Sequence, residues 1–176
     1  PPMPNARGNG ADDVLLSRSW ALSTVDDDLR ALSGRLDERH SPPDARAVET
    51  PELRWAEVLR RQDRLHDWMS ADALRRGELA QVDAVLRAPR FADPCPTRLT
   101  GQCEVSELLN LADFVAVADL EVALRGDWSQ AIARAVDLLL AADELIPTAR
   151  GILVNVVALS FALRAVDHVR VLLVGY

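Results

Sequence analysis

Residues 104–124 read EVSELLNLADFVAVADLEVAL, and this stretch decides the fold. Its apolar residues fall on more than one side of a helix, which is typical of a helix covered by several neighbours. They are Leu108, Leu111, Phe114, Val115, Val117, Leu120 and Val122. We therefore predict a central helix over residues 104–124.

Two further helices are predicted after this one, over residues 128–145 and 148–174. Gly126, Asp127 and Trp128 form a turn in which Asp127 caps the next helix and Trp128 enters the core, and Thr148 is predicted to cap the last helix. The last helix holds an uncharged run of 13 residues, Gly151 to Leu163. A membrane crossing needs about 20 such residues, so we expect this helix to be buried in protein.

The part before the central helix is also helical but more charged. Residues 1–100 hold 32 charged side chains, whereas residues 101–176 hold 15. Thr50 followed by Pro51 predicts the start of a helix, because a hydroxyl caps well and proline fits the first turn. Pro89 ends the helical pattern. The chain is predicted to be all-α, a helical bundle or helical-hairpin array of about five to six helices.

The domain organisation follows from breaks in the pattern. Residues 1–12 are expected to be a flexible tether, residues 13–39 a charged amphipathic helical arm, and residues 40–50 a linker. Residues 51–176 form the helical domain, with a cysteine-containing loop at 89–103. Since numbering begins at Pro1 without an initiator methionine, an upstream targeting segment or anchor is expected to be missing.

The N-terminal arm carries a narrow apolar stripe, which favours pairing with a partner helix or a second copy of the chain. We predict its interaction surface to consist of Leu15, Trp20, Leu22, Val25, Leu29, Leu32 and Leu36.

Size and charge exclude several classes. A chain of 176 residues with 49% apolar residues buries one ordinary core. Its net charge is −7, and its densest group of arginines, over residues 60–76, is interleaved with acidic side chains. Nucleic acid is therefore not an expected partner.

Cys95 and Cys103 lie in a turn-rich loop that also holds Pro94, Pro96 and Gly101. A disulfide between them would close a ring of nine residues and stabilise the fold by roughly 2.5 kcal/mol. It would indicate a periplasmic or otherwise extracytoplasmic location, whereas reduced cysteines would fit the cytoplasm. No zinc-ligand spacing occurs, and we predict no metal and no cofactor.

Four polar residues in the aliphatic half form the alternative site: Asp113, Asp119, Arg164 and His168. Asp113 and Asp119 are six residues apart, so they point to opposite sides of their helix. An acid facing an imidazole in apolar surroundings could support proton transfer between helices 104–124 and 148–174. The structural interpretation is that each carboxylate faces solvent or pairs with an arginine, and that residues 164–170 form a solvated helix end. The structural interpretation is favoured.

The sequence Gly126, Asp127, Trp128, Ala131 and Ile132 resembles the middle of a tetratricopeptide repeat. The resemblance implies two antiparallel helices joined by this turn. Asp119, Ala135 and Leu138 depart from the repeat pattern, and no second copy follows at its period, so a hairpin rather than an array is implied.

Residues 51–174 resemble uncharacterised membrane-anchored helical proteins of Gram-negative bacteria in their Arg90-Phe91 loop, GD turn and aliphatic last helix. This resemblance implies an extracytoplasmic location and no particular activity. The sequence thus predicts a non-enzymatic protein-interaction or scaffold module. A small helical enzyme or ligand-binding bundle is the alternative.

Overall fold

The computed structural model describes residues 10–11, 25, 27–33, 50–70, 73–93 and 107–176. These residues form helices without any β-strand among them, which confirms the all-α bundle. A short helix α1 (Asp27–Arg30) leads into a 3₁₀ turn (Ala31–Ser33). The six longer helices are α2 (Pro51–Arg60), α3 (Gln62–Ser70), α4 (Ala73–Leu86), α5 (Glu107–Leu124), α6 (Trp128–Leu145) and α7 (Ile152–Gly175).

Two helix starts follow the sequence signals. The Thr50 hydroxyl accepts a hydrogen bond from the Leu53 N–H at 3.4 Å, and the Asp127 carboxylate accepts one from the Gln130 N–H at 3.3 Å. Gly126 has φ = 93°, a left-handed conformation that favours glycine. The predicted caps at Thr50 and Asp127 and the turn between α5 and α6 are therefore confirmed.

The predicted cap at Thr148 is wrong. Helix α7 begins at Ile152, with Gly151 as its N-cap. The Thr148 hydroxyl donates to the Leu145 carbonyl at 2.8 Å and accepts from the Asp93 N–H at 2.9 Å. The side chain thus closes the end of α6 and attaches the segment after α4 to it.

Helix α5 is the centre of the bundle. It packs against α3, α4, α6, α7 and the N-terminal 3₁₀ turn, and every residue from Leu111 to Ala123 is buried. Because neighbours cover all its sides, apolar residues occupy all its faces. The prediction of a central helix is confirmed.

The described part of the N-terminal stripe lies on the protein's own bundle. Val25, Leu29 and Leu32 are buried in the core, and the 3₁₀ turn packs against α5. This differs from an arm held out for a partner. The other residues of the predicted interaction surface, Leu15, Trp20, Leu22 and Leu36, lie outside the described residues, as do Cys95 and Cys103.

Gly10 and Ala11 also differ from the expected tether. Ala11 is fully buried, and the Gly10 N–H donates to the Arg90 carbonyl at 2.8 Å. A side chain at position 10 would collide with Val85 and Phe91. Glycine is therefore required where this segment crosses the end of α4.

Helix α7 has two unlike faces. Its inner face packs against α2, α5 and α6 through residues such as Val154, Phe161 and Leu172, while the opposite face is exposed. By length and composition α7 is the one described helix that could cross a membrane, and a third of its most apolar 18-residue window is buried. The prediction that this helix is covered by protein is correct for one face and wrong for the other.

Candidate functional site

Asp119 is the centre of a buried ionic network. Its Oδ1 accepts a hydrogen bond from Arg134 Nη1, and its Oδ2 lies 3.0 Å from His168 Nε2. The three side chains come from α5, α6 and α7 and are at most 2% exposed. Both oxygens of the carboxylate therefore have partners inside the core.

Arg134 extends this network to α4. Its Nε donates to Asp83 Oδ1 at 2.6 Å, and Asp83 is partly exposed. A second pair between the same two helices joins Arg87 Nε to Asp137 Oδ2 at 2.8 Å on the surface. The network thus joins four helices and runs from the core to the solvent.

The ionisation of Asp119 is set by opposing effects. Burial raises its pKa above the ordinary range, while hydrogen bonds and charge from His168 and Arg134 act in the opposite direction. Burial would lower the pKa of Arg134, but its contacts with Asp83 and Asp119 raise that pKa further above its ordinary value. Arg134 is therefore a fixed cation in the core.

Asp113 forms a separate group on the other side of α5. Its Oδ1 accepts a hydrogen bond from the Ser33 hydroxyl at 2.8 Å and lies 3.1 Å from Arg164 Nη1. Arg164 Nη1 also donates to the Leu109 carbonyl at 2.8 Å. Arg30 Nε approaches Asp113 Oδ2 to 4.0 Å. This group attaches the N-terminal turn to α5 and α7.

The structure brings the four residues of the alternative site together as two pairs. Asp119 meets His168 and Asp113 meets Arg164, on opposite sides of α5 as their spacing predicted. The prediction that the segment near His168 is a solvated helix end is wrong for His168, which is buried, and for Arg164, which is bound to Asp113. The same prediction is correct for Asp167 and Arg170, which form an exposed pair with Arg170 Nη1 3.7 Å from Asp167 Oδ1.

These pairs have the geometry of structural contacts. A general acid or base must lie within hydrogen-bond reach of a substrate. The Asp119 oxygens are already bound by Arg134 and His168, and none of these side chains is more than 2% exposed. Among the described residues, no three His, Cys, Asp or Glu side chains come together as a metal site requires.

The sequence analysis missed Arg134, which holds the network together. It lies between Ala131, Ala135 and Leu138 on the buried face of α6. The sequence did contain a signal for it, since Arg134 is a charged residue at a position of the apolar face of α6. An arginine is buried only when it is paired, so this position indicates an acidic partner in the core. Glu121 was also missed, and it is buried beside Arg125 and His66 Nδ1, the latter at 3.3 Å.

Six exposed aliphatic side chains lie on the neighbouring helices α6 and α7, and we call this set the outer face. Its exposed fractions range from 43% at Val136 to 88% at Ile152. The outer face consists of Val136 and Leu140 on α6 and Ile152, Val156, Leu159 and Leu163 on α7.

The positions on α7 are separated by four, three and four residues, so they form one side of that helix. Helices α6 and α7 pack together and are antiparallel, since Trp128 at the start of α6 contacts Tyr176 at the end of α7. Val136 and Leu140 are therefore level with the middle of α7. Grouped exposed aliphatic residues of this kind mark interaction sites, whereas single ones do not.

No family model, no curated protein and no solved structure matches the chain. The functional proposal therefore rests on the geometry of the described residues.

Proposed function

We propose that the protein is a non-enzymatic helical module that works by protein–protein contact through the outer face. The observation that carries this proposal is the row of exposed aliphatic residues along α7, from Ile152 to Leu163. Leaving such side chains in water costs free energy that burial in a complex recovers, at about 25 cal/mol per Å² of apolar surface.

The distribution of charge supports contact rather than catalysis. The ionisable groups buried between α5, α6 and α7 bind one another, as Asp119 does with Arg134 and His168. The outer face has no comparable set of acids, bases or nucleophiles. An apolar surface that carries no reactive group is suited to binding a protein.

Protein contact also explains α7 better than a membrane crossing does. In the bundle its inner face is covered along its length by α2, α5 and α6. A lone α7 crossing a bilayer would separate His168 from Asp119 and would expose Arg164, Asp167 and Arg170 to hydrocarbon. Each such charge is costly in a membrane, by at least ~2.5 kcal/mol at the centre.

We further infer that the protein works outside the cytoplasm. The cysteine spacing in the loop at 89–103 and the resemblance to membrane-anchored helical proteins support this location. A disulfide between Cys95 and Cys103 is part of the proposal. Alkylation of the protein isolated from its native host, with and without reduction, tests it by mass. Two cysteines that react without reduction would contradict it.

The function is tested by photo-cross-linking in the native host. A photoreactive amino acid at position 163 is expected to give an adduct of one discrete mass, since this position lies on the outer face. The adduct should disappear when Val156→Glu is added, because a carboxylate would have to be buried in the contact.

The control is the same photoreactive group at Gln130, an exposed position of α6 outside the outer face. It should give only background labelling. Equal labelling at positions 130 and 163 would overturn the proposed function.

A further inference from the structure

We propose that the occupant of the outer face is a second copy of this chain, which docks through the exposed side of its own α6 and α7. The two α7 helices would be antiparallel, related by a two-fold axis near Leu163. This inference rests on the proposed function and names the partner of that surface. A self-complementary patch is what such a symmetric contact requires.

The alignment of the two α7 helices is inferred from Arg170, the charged residue along the middle of the exposed side of α7. Arg170 is seven residues beyond Leu163, so it lies on the same side of the helix and is 65% exposed. With the axis near Leu163, Arg170 of one copy lies opposite Val156 of the other. The two copies of Arg170 are then about 21 Å apart along the helix, well beyond the Debye length of about 8 Å.

Charge complementarity favours this antiparallel pairing. Asp143 is exposed on α6, one turn after Leu140 and level with the part of α7 near Val156. Arg170 of the second copy would therefore reach Asp143. Its own neighbour Asp167 holds it only through an exposed contact of 3.7 Å, and such pairs are weak. A parallel pairing would instead bring the two arginines together.

The same charges disfavour a lipid surface. Among the described residues, the charged side chains beside the outer face are of both signs, Asp143 and Asp167 together with Arg150 and Arg170. Anionic headgroups attract basic residues around an apolar surface and repel carboxylates. The partner that fits an apolar centre bordered by charges of both signs is a surface with the same pattern, turned by two-fold symmetry.

The size of the surface is adequate for a weak dimer. The whole exposed sides of α6 and α7, each about 10 Å wide, present roughly 600 Å² over a length of about 30 Å. Burying this on both copies removes about 1,200 Å² from water, at the lower limit of specific interfaces. We expect a dimer whose population depends on concentration.

The experiment is sedimentation equilibrium of the purified full chain over a series of concentrations from the micromolar range upward. The unaltered protein is expected to dimerise. Leu163→Glu should raise the dimer dissociation constant at least about tenfold, because the two-fold axis brings two carboxylates together. Circular dichroism of each variant checks that the monomer stays folded.

Leu53→Glu is the matched control, since Leu53 is also an exposed leucine, 58% against 67% for Leu163, and lies on α2 outside the outer face. It should leave the dissociation constant unchanged. Arg170→Glu should weaken the dimer, and Asp143→Arg added to it should restore the dimer because the pair is reversed. Failure of that restoration would overturn the proposed register.

Two outcomes would overturn self-association. One is a monomer at every concentration, and the other is binding of the monomer to phosphatidylglycerol vesicles that Leu163→Glu abolishes. A monomer that still gives a discrete heterologous adduct at position 163 in the native host would leave the proposed function intact. A monomer with no adduct would remove both.

Discussion

The two faces of α7 differ in a way that its composition does not suggest, because polar side chains lie on the buried face and aliphatic side chains on the exposed face. The inner face carries His168 and Arg164 into a core that also holds Asp119 and Arg134, whereas the outer face exposes Ile152 and Leu163 to solvent. Polar side chains are buried here because each finds a charged partner on another helix. Aliphatic side chains are exposed because no element of the described chain covers them.

The comparison shows that hydrophobicity alone does not decide which side chains of α7 are buried. Charged side chains are buried where another helix supplies a partner of opposite charge, and aliphatic side chains are exposed where no described element covers them. On the inner face, ionic contacts fix the rotation of α7 against α5 and α6, because a buried carboxylate tolerates little displacement from its donors. On the outer face nothing in the described chain fixes the side chains. The inner face should therefore control stability, and the outer face should control association.

The largest expected effect is from Asp119→Ala. Without this carboxylate the buried Arg134 guanidinium loses one of its two anionic partners. Breaking a buried pair in this way lowers the free energy of unfolding by about 3–5 kcal/mol. Urea denaturation at neutral pH, followed by tryptophan fluorescence, measures the free energy of unfolding.

Asp67→Ala is its control, because Asp67 is an exposed acid on α3. That change should alter the free energy of unfolding by no more than about 0.5 kcal/mol. If Asp119→Ala lowered the free energy of unfolding as little as Asp67→Ala, the buried network of Asp119, Arg134 and His168 would not determine the stability of the protein.

Local features of the fold could be predicted from sequence, whereas the pairing of charges could not. The caps at Thr50 and Asp127 depend on residues within one turn, so the sequence is sufficient to find them. The contact of Asp119 with His168 depends on the rotations of α5 and α7, which are 49 residues apart at this contact. An apolar helix such as α7 lacks the one-sided pattern that would set its rotation.

The burial of Val25, Leu29 and Leu32 could not be predicted from the N-terminal stripe for a related reason. A narrow apolar stripe is equally compatible with a partner helix and with the protein's own bundle. Leu29 and Leu32 are buried on the bundle, and Ser33, which follows Leu32, donates a hydrogen bond to Asp113 there. Neither the stripe nor the serine alone indicates that contact.

A smaller effect is expected in the pH dependence of stability. Because burial raises the pKa of Asp119, the folded protein holds a proton on this group more tightly than the unfolded chain does. This contribution to stability is fully present below the unfolded pKa of about 3.9 and is lost as pH rises through the folded pKa.

Asp119→Asn removes that titration. The free energy of unfolding of the unaltered protein, minus that of the variant, should therefore decrease as pH rises from about 4 toward neutrality. Denaturant titrations at several pH values measure this difference. An increase with pH would mean that Arg134 and His168 outweigh burial.

The smallest effect is expected from Leu163→Ala, and it tests the comparison most directly. Leu172 is 1% exposed and Leu163 is 67% exposed, although both are leucines of α7. Leu172→Ala should cost about 2–5 kcal/mol because it leaves a cavity. Leu163→Ala, measured in dilute monomer, should cost no more than about 0.5 kcal/mol. If Leu163→Ala were as costly as Leu172→Ala, the outer face would be covered by the protein's own chain, and no surface would remain for a partner.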